Sequence, residues 1–217
     1  MLPSVSIDSE LVPLVVLGVL QFDGVRVVVD ETRSAPDPPA DTRELANRIE
    51  IVRAMYRRFG VDPTKTRPSS EALLRRVRRA LPWPVINTLV DTCNECSLAT
   101  QLPFGLYDVD RIVGNVILRR GRSGEEYEGI RKAHVHLAGR PALFDEQGPF
   151  GNPTSDSART MVTPATTRAL IVVYAPCELR SEALAEALEL TASRVWDTTS
   201  GLEQGRAVVS GSMSAGS

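Results

Sequence analysis

Residues Ala169 to Tyr174 read ALIVVY, six apolar residues in succession. A strand covered on one face alternates polar with apolar side chains, whereas a strand covered on both does not. This segment is therefore expected to be a central strand, and the rest of the chain has to supply the layers that bury it. With 42% hydrophobic and 24% charged residues among 217, it has the material to do so. A helix over about Ser181 to Trp196, with Leu184, Leu188, Leu190 and Val195 for packing, follows the strand.

Upstream, helices and strands are segregated. Residues 13–20 (PLVVLGVL) and 25–29 (VRVVV) flank Phe22-Asp23-Gly24 and read as two strands joined by a tight turn. A Pro- and Asp-rich connector (Ser34–Ala40) leads to a helix from Asp41. Its stripe is Leu45, Ile49, Val52, Tyr56 and Phe59, with Asp41 as cap and Gly60 as stop. A second helix starts at Ser69 or Ser70, carries Leu73, Leu74, Val77, Ala80 and Leu81, and ends at Pro82 and Pro84. Pro84 suits the first turn of a third helix, about Val85 to Ala99, which buries Ile86, Leu89, Val90, Cys93 and Leu98. After Pro103 come short strands, Arg111–Leu118, His134–Leu137, Arg159–Thr163 and the apolar run. This order is α+β. Residues 1–199 form a single domain with its core at about 56–174, and the Gly/Ser-rich tail 200–217 is expected to be disordered.

Net charge is only −2, yet eleven basic residues face four acidic ones between Arg43 and Arg79. Arg57, Arg58, Arg75, Arg76, Arg78 and Arg79 project away from the apolar stripes, which suits either a solvated face or phosphate contact. Three cysteines are too few for a disulfide framework. The apolar run Leu11–Leu20 is too short for a bilayer, and acidic residues precede it where a leader carries basic ones. A cytoplasmic protein is expected. Cys93-Asn-Glu-Cys96 and His134-Val-His136 are of zinc-ligating type, but their spacing fits no finger, and no metal or cofactor is expected. No nucleophile elbow, phosphate loop or His-Glu-x-x-His helix occurs.

Polar residues instead recur at turn-like spacings beside apolar runs: Asn87, Asn94, Glu125, Asp145, and then a dense cluster. The loop from Gly148 packs Asn152, Thr154, Ser155, Asp156, Ser157, Arg159 and Thr160 into nine residues. Such a loop either faces a substrate or is an Asx-type turn in which Asp156 caps local amides and pairs with Arg159.

The motifs RPSSEALLRRV, VINTLVDTCN, YDVDRIVG and LRRGRSGEEY, then a D-x-x-G element and a Thr-rich close, occur in this order from about Tyr56 to Tyr174. The pattern resembles the B-three/B-four domain of the phenylalanyl-tRNA synthetase beta subunit, and more closely free-standing proteins built from that domain. The resemblance implies a three-layer arrangement with a β-sandwich-like sheet core and packed helices, shared with a domain of tRNA-lysidine synthetase. It also implies an editing site that accepts the 3′ end of a mischarged tRNA and hydrolyses the aminoacyl ester. By position Asn94 matches the asparagine that helps hold the attacking water, and Gly114, Glu125 and Asp145 match residues that shape turns around the site. Two departures stand out. The editing histidine falls at Gly105, and the tyrosine-selecting glutamate falls near Asp156–Arg159, so tyrosine specificity is not carried over.

The expected site therefore comprises Asn94, Asp156, Arg159 and Thr160 as catalytic groups. Asn87, Asn152, Ser155, Ser157 and Glu125 are expected to bind substrate, and the six arginines RNA. The chain has no ATP-binding module, so aminoacylation is not expected. Three readings stay open: a deacylase acting on mischarged tRNA in trans, a non-catalytic tRNA- or RNA-binding module, and a binder or enzyme for a free amino acid.

Overall fold

The computed structural model describes residues 3–130 and 132–211. The elements are β1 (Val5–Ile7), β2 (Val15–Asp23), α1 (Arg43–Arg58), α2 (Ser69–Arg78), α3 (Thr88–Thr100), β3 (Phe104–Asp108), β4 (Val116–Arg120), β5 (Glu126–Gly129), β6 (Lys132–His136), β7 (Pro141–Asp145), β8 (Gly148–Asn152), β9 (Ser155–Asp156), β10 (Arg168–Pro176), α4 (Ser181–Thr199) and β11 (Leu202–Val209). The fold is α+β, as expected. An antiparallel sheet runs β11-β2-β10-β3, a second runs β1-β4-β7-β8-β9, and β5 pairs with β6. Helix α4 lies on β2, where a Cβ at Gly18 would fall 2.8 Å from Leu188, so only glycine lets the helix approach this closely. Helix α3 packs against α4 and β3, completing the helical layer.

The apolar run is indeed a central strand. β10 pairs with β2 on one side and β3 on the other, and Ala169 to Tyr174 are fully buried. The residues proposed as the second strand of a hairpin are not a strand. Both edges of β2 are taken, by β10 and β11, so residues 25–29 have no free edge. They cross instead to the helices: Val25 donates to Thr167 O, Arg26 to Thr199 O, and Val28 and Thr88 exchange bonds.

The edge is filled by part of the tail expected to be disordered. Leu202–Val209 is exposed at its first residues, alternates exposed with more buried ones from Gln204 onward, and pairs with β2 from Asp23 to Leu17. The final residues of that tail, 212–217, lie outside the described residues. Helix and strand boundaries also differ: the strand expected over Arg111–Leu118 begins only at Val116, after a 3-10 turn at Val109–Arg111, and α2 stops at Arg78, short of Ala80 and Leu81. Thr42, not Asp41, caps α1 by accepting from Leu45 N at 3.1 Å, leaving Asp41 to pair with Arg78. α3 begins after Asn87, leaving Pro84 outside it. Residues 159–163 make no strand, because Ser157 caps a short 3-10 turn there. Among the described residues no helix is long and apolar enough to cross a membrane.

Candidate functional site

The loop 148–160 is built by local polar bonds. Asn152 Oδ1 accepts from Thr154 N at 2.8 Å and Ser155 N at 2.9 Å, an Asx turn. Ser157 Oγ accepts from Arg159 N at 3.1 Å. The Tyr56 hydroxyl donates to Pro153 O at 2.7 Å, and that of Tyr127 to Ser155 O. Held from both ends, β9 lies beside β3 with Leu106 N 3.5 Å from Asp156 Oδ2. The Tyr107 ring sits between the backbones of two glycines: a Cβ at Gly105 would lie 2.2 Å from its hydroxyl, and one at Gly151 2.3 Å. Phe150 meets the ring edge-on at 4.9 Å, and the Tyr174 hydroxyl lies 3.2 Å from its oxygen.

Asp156 and Asn94 line one cavity of about 170 Å³, together with Ser69 at the start of α2 and Cys93 and Ser97 on α3. The rest of the wall is apolar, notably Ile86, Val90, Phe104, Leu106, Met161 and Val162. Among the described residues no lysine, arginine or histidine lines it. Burial pushes the Asp156 carboxyl up to about 7, with the Tyr107 hydroxyl and the Leu106 N–H opposing that rise. Its Oδ1 is out of contact with solvent and lacks a hydrogen-bond partner. Among the described residues nothing bonds the half-buried Asn94 amide either. Ser69 Oγ is likewise buried without a partner. The first turn of α2 has no side-chain cap, since Pro68 occupies the cap position. The cavity is thus a mostly apolar pocket with a few unsatisfied polar groups, the usual composition of a ligand site.

The other expected site residues are placed elsewhere. Arg159 turns away from Asp156 and grips Asp145 through both guanidinium nitrogens, at 2.8 and 3.0 Å. The Asp145 carboxylate is fully buried and needs that partner. Thr160 donates to Phe150 O at 3.3 Å. Asn87 caps α3 by accepting from Val90 N at 2.9 Å. Glu125 is clamped by Arg119 at 2.8 Å, which holds its carboxyl down at about 2. Gly114 takes a left-handed φ of 71° where a side chain would strike Glu146. Asn152 and Ser155 line a separate hollow of about 110 Å³ with Tyr56 and Arg140. Cys93 and Cys96 lie on α3, whereas His134 and His136 bond Glu126 on the exposed β5–β6 hairpin, so the two pairs do not converge. Sequence reasoning missed Tyr107, Tyr174 and Ser69. The closely spaced Gly105 and Tyr107 on one strand were the available signal for the first.

Helices α1 and α2 enclose an open groove of about 500 Å³ lined by Arg53, Arg67, Arg75, Arg78 and Arg79. Arg53 and Arg67 converge on Glu71, and Arg78 pairs with Asp41. Arg58 is engaged by Glu178 at 2.7 Å, and Arg76 donates to Pro82 O at 2.7 Å. Among the described residues Arg57, Arg75 and Arg79 have no carboxylate partner. Three of the six expected arginines are therefore uncommitted cations.

No curated protein matches the sequence significantly. Among solved structures the fold is similar to the crystal structure of an N-terminal fragment of the phenylalanyl-tRNA synthetase beta-subunit from Pyrococcus horikoshii, with a TM-score of 0.51 at 14% identity. The match covers 94% of this chain and 53% of that one, so the chain spans about half the fragment's length. A family model described as the B3/4 domain matches residues 51–194, well over half of the sequence. The chain belongs to the B3/4 domain family.

Proposed function

We propose that the chain is a tRNA-binding, editing-type domain that receives the aminoacylated 3′ end of a tRNA in the Asn94–Asp156 cavity and hydrolyses the ester of a mischarged amino acid in trans. The observation that carries this reading is the meeting of the buried, unpartnered Asp156 Oδ1 from β9 and the half-buried Asn94 amide from α3 in one largely apolar cavity. An aminoacyl ester is already activated, so a site need only hold it, place a water and stabilise the oxyanion. Asn94 and Asp156 are the polar groups that can hold a water and the acyl group beside it. The uncapped first turn of α2 offers backbone N–H donors for developing negative charge. A ribose hydroxyl of the substrate can assist the proton transfer. The same helix lends Arg75, Arg78 and Arg79 to the groove, within about 15 Å of chain, so one element serves both the ester end and the phosphates.

The test is a panel of mischarged tRNAs incubated with the protein. The expected result is ester loss that falls at least about tenfold in Asn94→Ala and in Asp156→Ala, the scale of a lost positioning or electrostatic contact. Unchanged rates in both variants overturn the reading. Among the described residues the cavity wall holds no histidine, which favours a second reading, an RNA-binding module without hydrolysis. Its signature is salt-sensitive tRNA binding that leaves the ester intact.

A further inference from the structure

We propose that the cavity selects an α-amino acid residue with an aliphatic side chain, its α-ammonium group donating to Asp156 Oδ1 and its side chain lying against the apolar wall. This deepens the reading above and rests on it for the ester link to a nucleotide. Asp156 Oδ1 is buried and unpartnered, and a buried acceptor left unpaired is costly. Among the described residues no cationic side chain lines the cavity, so a ligand can bring the complementary charge. An aminoacyl group always brings one, its α-ammonium.

The wall sets the side chain. Ile86, Val90, Phe104, Leu106, Met161 and Val162 offer dispersion contacts and no hydrogen bonds. Ser97, the hydroxyl nearest to hand on α3, already donates to Leu102 O at 2.7 Å. A charged or amide side chain entering here would lose its hydration with only Ser69 Oγ and the Asn94 amide beside Asp156 to offset it. The volume, about 170 Å³, equals the share of five or six waters at about 30 Å³ each, enough for a branched aliphatic chain with its amine.

Among the described residues the ionisable groups facing Asp156 are Cys93 from α3, Tyr107 from β3, Tyr127 from β5 and Tyr174 from β10. Burial pushes all four upward, so none carries charge near neutrality. Binding of an ammonium needs the Asp156 carboxylate. Affinity for an α-amino amide is therefore expected to rise as pH increases through about 7 and to fall once the amine deprotonates, near about 8.

The experiment is calorimetric titration of the full chain with L-leucinamide, with isocaproamide (the same molecule without its amine), and with L-serinamide. Leucinamide is expected to bind about tenfold to a hundredfold more tightly than isocaproamide, and more tightly than serinamide. Asp156→Asn is expected to abolish the preference for the amine. Equal binding of the two leucine analogues, stronger binding of serinamide, or binding of none of them overturns the inference. The comparison of the analogues on the unmodified protein stands even if the variant misfolds. Ester loss from mischarged tRNA, followed in parallel, separates the two readings. Hydrolysis without an amine preference sinks the inference alone, and an amine preference without hydrolysis sinks only the catalytic role.

Discussion

Replacing Asp156 by asparagine should stabilise the protein, and by an amount that depends on pH. The carboxyl is held near 7 in the fold against an ordinary 3.8, chiefly by burial. A carboxyl raised on folding favours the folded state where it is protonated, so its contribution is intact below 3.8 and is lost as pH rises towards and past 7. The interval from 3.8 to about 7, at about 1.36 kcal/mol per pH unit, amounts to about 4 kcal/mol at pH 8. At pH 6 the same relation leaves about 3 kcal/mol, and at pH 4 about 0.5 kcal/mol. Asparagine keeps the shape and never ionises, so the variant should track the wild type in acid and exceed it in base. Urea denaturation of both proteins at these three pH values measures the difference directly. For a chain of this size, 4 kcal/mol corresponds to roughly 8–16 °C in Tm. A gap between the two proteins that does not grow from pH 4 to pH 8 refutes the claim that a desolvated carboxyl sits in this cavity.

Arg159→Ala should cost about 3 kcal/mol, because it leaves the fully buried Asp145 carboxylate with the Val113 and Gln147 N–H donors but no counter-charge. Ester hydrolysis per folded molecule should be unchanged; a catalytic defect in a well-folded variant would restore Arg159 to the site. Gly151→Ala should cost about 1–3 kcal/mol in urea denaturation, since its Cβ would fall 2.3 Å from the Tyr107 hydroxyl, in a ring already wedged against Gly105. A neutral substitution would mean that Tyr107 is free to move. Arg75→Glu with Arg79→Glu should weaken tRNA binding and lower the slope of log affinity against log salt by at least about 1.4. Unaltered stability is expected alongside, as neither residue has a carboxylate partner among those described. An unchanged slope would remove the groove from the RNA path.

Some of this could be read from the chain because it is local. ALIVVY had to be interior whatever its neighbours, since the signal is the absence of polar residues within one strand. The three helices after residue 40 showed in their apolar stripes for the same reason, with Gly60 and Pro82 marking the ends of the first two. The hairpin was misread because pairing is a property of edges, not of segments. VRVVV has strand character, but β2 had no edge to give it once the LEQGRAVV stretch had claimed one. Charge was misleading in the loop for a related reason. Asp156 and Arg159 are three residues apart and of opposite sign, and sequence offers no closer partner for either. In the fold a buried Asp145 from β7 outbids Asp156 for the guanidinium. That long-range choice is what leaves Asp156 without a cation among the described residues. An acid that had been paired locally would have been an ordinary turn residue. Its partner's defection, invisible from spacing, turns a carboxylate beside Asn94 into an unsatisfied acceptor facing an apolar cavity, and so into a place where a ligand's own charge is required.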